Sequence, residues 1–136
     1  MDDLRDLRVF FIIAWIQLPT VMYGGYALLG LLTRGESMTD FQRTYFRAGH
    51  AHAGVLLLMS LLYYIFLSQT DLSMPMKVIA SIAVIAGALL QSGGFFVHMA
   101  RGEPGQRSIG TTITTIGAVI LVVASLFLAW ALGFRW

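Results

Sequence analysis

The sequence predicts an all-α membrane protein, with four transmembrane helices in an up-down-up-down bundle. Three observations predict it. Of the 136 residues, 57% are hydrophobic and only 12% charged, whereas a soluble domain carries about 25% charged residues. The apolar residues fall into four long runs separated by short segments rich in Arg, Gly, Asp and Pro. Four spans of ~25 residues would use most of the chain, which leaves a single domain over 1-136 and no room for a separate soluble one.

The first span is expected from about Leu7 to Thr33. Its acidic start, Met1-Asp2-Asp3-Leu4-Arg5-Asp6, and its long apolar run do not read as a removable signal peptide. Pro19 should kink this helix, because it removes a backbone donor. Gly24, Gly25 and Gly30 give it a smooth face for close approach. Ser37 with Asp40, or Thr39 with Gln42, then supplies a capping signal for a second helix. That helix should start near Asp40, enter the bilayer around Tyr45 and run to about Ser68. Asp71 and Pro75 mark a turn, and a third helix follows from about Met76 to Ala100. Gly102 and Pro104 stop it, and a fourth runs from about Ser108 to Leu132. Tyr45, Phe46, Trp130, Phe134 and Trp136 fall near span ends, where aromatic rings favour the headgroup zone.

Short connections make neighbouring helices antiparallel. One membrane face then carries Arg34, Arg43, Arg47, Arg101 and Arg107, and the other carries Arg5, Arg8, Lys77 and Arg135. Five cations against four do not fix an orientation; the lean is toward a cytoplasmic five-arginine face. The first and third spans echo one another. Gly24-Gly25-Tyr26 precedes Arg34-Gly35-Glu36 much as Gly93-Gly94-Phe95 precedes Arg101-Gly102-Glu103. Downstream, Gly54-Val55-Leu56-Leu57 matches Gly117-Ala118-Val119-Ile120, which suggests two repeated helical hairpins, with chance as the rival.

The net charge is +2 and there is no basic run, so nucleic acid is not an expected partner. The lipid bilayer is, and the expected setting is multi-pass in a bacterial cell membrane. The lack of cysteine excludes thiolate ligands, disulfides and cysteine nucleophiles.

The three histidines are the informative feature. Arg43, Arg47, His50 and Gly54 fall on one stripe of the second helix, and Gln91, Gly94, His98 and Arg101 on one stripe of the third. In each case arginine lies toward the surface, then histidine, then glycine. His50 and His98 therefore share a depth on one side. Thr111, Thr112, Thr114 and Thr115 enter at the same level. His52 points about 200° from His50, so one metal cannot take both from an intact helix. Ionisable side chains within a span cost roughly 1–3 kcal/mol and are usually buried, paired or functional.

The expected site comprises His50, His52 and His98, with Arg43, Arg47 and Arg101 and the bare backbone of Gly54 and Gly94. Heme b between two imidazoles is the first candidate, with arginines pairing its propionates. A nonheme Cu, Fe or Zn ion on His50 or His52 with His98 is the second, Glu36 or Glu103 folding back to supply a carboxylate. A structural or proton-handling role stands beside both.

The stretch Arg47-x-x-His50-x-His52 resembles the R-x-x-H-x-N/H segment of heme–copper oxidase catalytic subunits, especially the nitric oxide reductase and cbb3 types. The resemblance covers about ten residues. It implies a heme-ligating role for His50. The copper-site histidines and twelve-span architecture of that family are absent, so oxygen or nitric oxide reduction is not implied. Electron transfer, membership of a redox complex, a small-molecule or proton transport module, and a non-catalytic accessory subunit are the functions to weigh. Several small-residue faces point to a homo-oligomer or a partner.

Overall fold

The computed structural model describes residues 5–35 and 38–134. The candidate carboxylate Glu36, the alternative cap Ser37, and the terminal Arg135 and Trp136 lie outside the described residues. Among the described residues there are four long helices: α1 (Arg8–Thr33), α2 (Asp40–Ser68), α3 (Met74–Arg101) and α4 (Ile109–Phe134). Each is long and apolar enough to cross a membrane. The result is an all-helical, four-span integral membrane protein, with both described chain ends and the α2–α3 turn at one end of the bundle. The α1–α2 and α3–α4 connections lie at the other, where the histidines are.

The ends of the helices follow local chemistry. Thr39 and Gln42 form the capping box of α2. The Thr39 hydroxyl accepts the Gln42 N–H at 3.2 Å, and the Gln42 side chain accepts the Thr39 N–H at 3.1 Å. The third helix starts two residues earlier than the sequence suggests, with Pro75 inside its first turn. Proline costs nothing there, because the N–H it lacks would have had no helical partner. Lys77 is buried one turn later and its ammonium donates to the Ser68 carbonyl at 3.4 Å. A cation thus sits at the negative end of α2. Ser108 caps α4, its hydroxyl accepting the Gly110 N–H at 3.0 Å. Pro19 lies within α1, which continues through it as one element.

The tightest packing is between α3 and α4. A Cβ added at Gly94 or Gly110 would collide with the backbone of the other helix, and one at Gly117 would meet the backbone of Gln91 and Gly87. Gly94 faces Gly110 and Gly87 faces Gly117, so the contact repeats every seven residues along antiparallel helices. Ala80 and Ala124, both buried, extend that register by one more repeat. The Tyr63 hydroxyl then ties α2 to α4 by donating to the Ala124 carbonyl at 3.0 Å.

The buried apolar core lies at the end opposite the histidines, around Phe10, Leu57, Tyr64, Leu67 and Val84. At the histidine end the interior is aromatic rather than open. Tyr45 and Phe46 are half-buried and turn inward, Tyr45 onto His98 and Phe46 onto Phe96. Both rings therefore make protein contacts as well as lying near a span end. Trp130 and Phe134 do remain exposed. The first helix lies chiefly along α2 and leaves a cleft toward α3.

Candidate functional site

The three imidazoles share a level but face three directions. His50 turns from α2 toward α1 and lies against the bare backbone of Gly24 and Gly25. A Cβ at Gly24 would come within 3.2 Å of its Nδ1, and one at Gly25 within 3.1 Å of its Nε2. On its own helix the ring stacks with Phe46 at 6.2 Å. The glycine pair of α1 thus makes the trough that this ring occupies. Neither nitrogen of His50 has a hydrogen-bond partner among the described residues, and the side chain is only partly buried.

His52 points the other way, as two residues of helix require. Its Nδ1 lies 2.8 Å from the Ala48 carbonyl one turn back, and its ring packs on Phe95 of α3. A carbonyl can only accept, so the Nδ1 carries the proton.

His98 is 2% exposed. Its Nδ1 lies 2.7 Å from the Ser108 hydroxyl, and Tyr45 and Phe41 meet its ring edge-on. Ser108 therefore serves two helices at once: it caps α4 and holds the imidazole of α3. Gly102 closes the turn, its N–H donating to the His98 carbonyl at 2.7 Å. His98 sits among α2, α3 and the start of α4, whereas His50 sits between α2 and α1. The structure does not turn these two rings toward a common point. Among the described residues, no three of His, Asp and Glu gather as a metal ion would need.

The glycines flanking the histidine stripes are also filled by protein. Beside Gly54, Val21 of α1 stands at 3.7 Å from a would-be Cβ, an ordinary contact distance. Gly94 is the crossing point with α4. Among the arginines, Arg47 and Arg101 are exposed. Arg43 is half-buried, donates to the Met38 carbonyl at 3.5 Å and lies 3.7 Å from the exposed Asp40 carboxylate. Glu103 is exposed in the α3–α4 loop.

The threonine level is spent on backbone. Thr111 and Thr115 donate to carbonyls one turn back, and Thr114 donates to the Gln91 carbonyl of α3 at 3.4 Å. The i−4 hydroxyl bond is the usual way a span hides such a group from lipid.

Sequence reasoning missed Ser108, Phe41 and Tyr45 as the surroundings of His98. A serine just ahead of Gly110 reads as a helix cap, but nothing in its spacing says that a histidine ten residues earlier shares it. No protein family, curated protein or solved structure matches the chain.

Proposed function

We propose that this protein is a small subunit of a redox assembly in a bacterial cell membrane, and that His50 is its imidazole ligand for heme b or a transition metal ion. One observation carries the reading. His50 alone of the three histidines has neither ring nitrogen engaged by protein among the described residues, while His52 and His98 each have one held. A polar ring within a span, left without a hydrogen bond, is costly unless something else uses it. A neutral imidazole with a free lone pair is a good axial ligand.

The fit is to half of a bis-imidazole site. His98 faces elsewhere, so the second ligand would come from a partner subunit or a second copy of this chain. Arg47 and Arg43, one and two turns nearer the membrane surface, are placed to neutralise carboxylates such as heme propionates. Bound heme would supply one-electron redox chemistry; this chain would supply the ligand, the cations and the ring of Phe46 stacked on His50. The test is the absorption spectrum and metal content of protein purified from its own membrane. A Soret band lost in His50→Ala is the expected result, and a colourless, metal-free preparation rejects the reading.

A second reading is a non-catalytic accessory subunit. The outer face of α1 favours it, because Trp15, Ile16, Tyr23 and Tyr26 are 60–72% exposed along one helix. Large exposed aromatics suit either lipid or a partner helix. Co-purification of a partner with colourless protein, lost in Tyr23→Ala, distinguishes this reading from the first.

A further inference from the structure

The first helix carries a stripe with a polar centre that its own chain leaves uncovered. Ile13, Gln17, Thr20 and Gly24 recur at spacings of four, three and four, so they share one face of α1. That face borders the cleft between α1 and α3, and Gln17 and Thr20 are part of its lining. On the far wall α3 presents Ala88, Ser92 and Gly93, and a Cβ added at Gly93 would meet nothing within 4 Å. Because α1 packs chiefly on α2, no described helix closes this side of it.

Gln17 is the informative residue. It stands nine residues from the start of α1. At 1.5 Å per residue that is about 14 Å along the helix, near the middle of a ~30 Å hydrocarbon core. Its carboxamide carries two N–H donors and an oxygen acceptor. None of these has a hydrogen-bond partner among the described residues, and acyl chains offer none. The side chain is half-buried and reaches the open cleft. Side chains of this kind hold transmembrane helices to one another.

Symmetry names the partner. A two-fold axis along the membrane normal brings the same stripe of a second copy to the same depth. A carboxamide is its own complement: each donates an N–H to the oxygen of the other, so two hydrogen bonds close across the axis. An apolar partner helix, or lipid, would leave the amide unmet. The stripe also reaches the histidine level, because Gly24 is the residue against which the His50 ring lies. Pairing through the stripe therefore sets a His50 from each copy at one depth beside a common axis, and supplies the second imidazole that a bis-imidazole site needs. That last step rests on the function proposed above; the pairing itself rests on Gln17.

We propose that two copies of this chain pair through the Ile13, Gln17, Thr20 and Gly24 face of α1, with the Gln17 amides bonded to each other across the axis. The chain has no cysteine, so a single introduced thiol reports a single contact. The test uses the full chain, without heme, in phosphatidylcholine vesicles under oxidation by copper phenanthroline. Thr20→Cys should give a disulfide-linked dimer. Met22→Cys should not, because Met22 lies about 200° round the helix from Thr20 and is exposed on the other side of α1. Energy transfer between terminally labelled copies, diluted with lipid, then gives the dissociation constant. Gln17→Leu should raise it about ten-fold, the loss of two interhelical hydrogen bonds, and Gln17→Asn, which keeps the carboxamide, should recover part of this. A chain that stays monomeric at every dilution, equal cross-linking at positions 20 and 22, or a Gln17→Leu chain that pairs as tightly as the parent overturns the proposal. A Soret band from a monomeric chain overturns the pairing and leaves the heme reading standing; a colourless dimer does the reverse.

Discussion

Replacing Gly110 by alanine should unlock the α3–α4 seam. The new methyl would stand 2.6 Å from the Gly94 carbonyl oxygen and 2.7 Å from the His98 Cα, against 3.4–4 Å for ordinary contact. Both obstacles are backbone, so no rotamer change relieves them, and the helices must part by close to 1 Å. A radial gap of about 0.5–1 Å forfeits a quarter to a half of each dispersion contact. Here it would act along the whole Gly87–Gly117, Gly94–Gly110 register. Overpacking costs typically 1–3 kcal/mol, and a backbone-on-backbone clash belongs at the upper end, at about 3 kcal/mol. Gly133→Ala is the control, since a Cβ there meets nothing within 4 Å. The assay is reversible unfolding in mixed micelles, followed by circular dichroism. If Gly110→Ala unfolds at the same denaturant level as Gly133→Ala, the close approach of α3 and α4 is wrong.

Three further outcomes follow from single contacts. Ser108→Ala removes the α4 cap and the His98 partner together, and should cost about 1–2 kcal/mol in the same unfolding assay. Ser108→Thr, which keeps the hydroxyl, should restore much of this. Tyr63→Phe deletes the donor to the Ala124 carbonyl, and should cost about 0.6 kcal/mol, typical of interhelical bonds in bilayers. Thr39→Ala breaks the α2 capping box and should cost about 1 kcal/mol, read as faster amide exchange confined to the first turn of α2.

The four helices were legible because span length and apolarity are properties of single segments, which need no knowledge of neighbours. The Thr39–Gln42 box was legible for the same reason, being a four-residue pattern. Pro75 was misjudged as a boundary because proline ends one helix and begins another with equal ease, and only the backbone geometry tells which. The divergence of His50 and His52 also followed from helix geometry alone.

What the sequence did not show was which neighbour each stripe meets. Arg43, His50 and Gly54 on one helix, and Gly94, His98 and Arg101 on the other, share a depth and a pattern. Depth, however, says nothing about rotation about the helix axis. Gly110 and Gly117, seven residues apart, select the face of α4 that meets Gly94, and that choice sets where His98 points. The signal was present in the spacing Gly87, Gly94, Gly110, Gly117. It is a packing signal, and it competes with the reading of Gly94 as room for a macrocycle. The cleft between α1 and α3 had no sequence signature, because its lining residues Gln17, Ser60 and Ser92 come from three spans.

The most direct measurement compares optical spectra and bound-metal content of protein isolated with its native partners, for the parent chain, His50→Ala and His52→Ala. Loss of the chromophore or metal in His50→Ala, with retention in His52→Ala, is what an unengaged imidazole at the α1–α2 seam predicts. An unpigmented, metal-free parent, or a chromophore indifferent to His50, would contradict it.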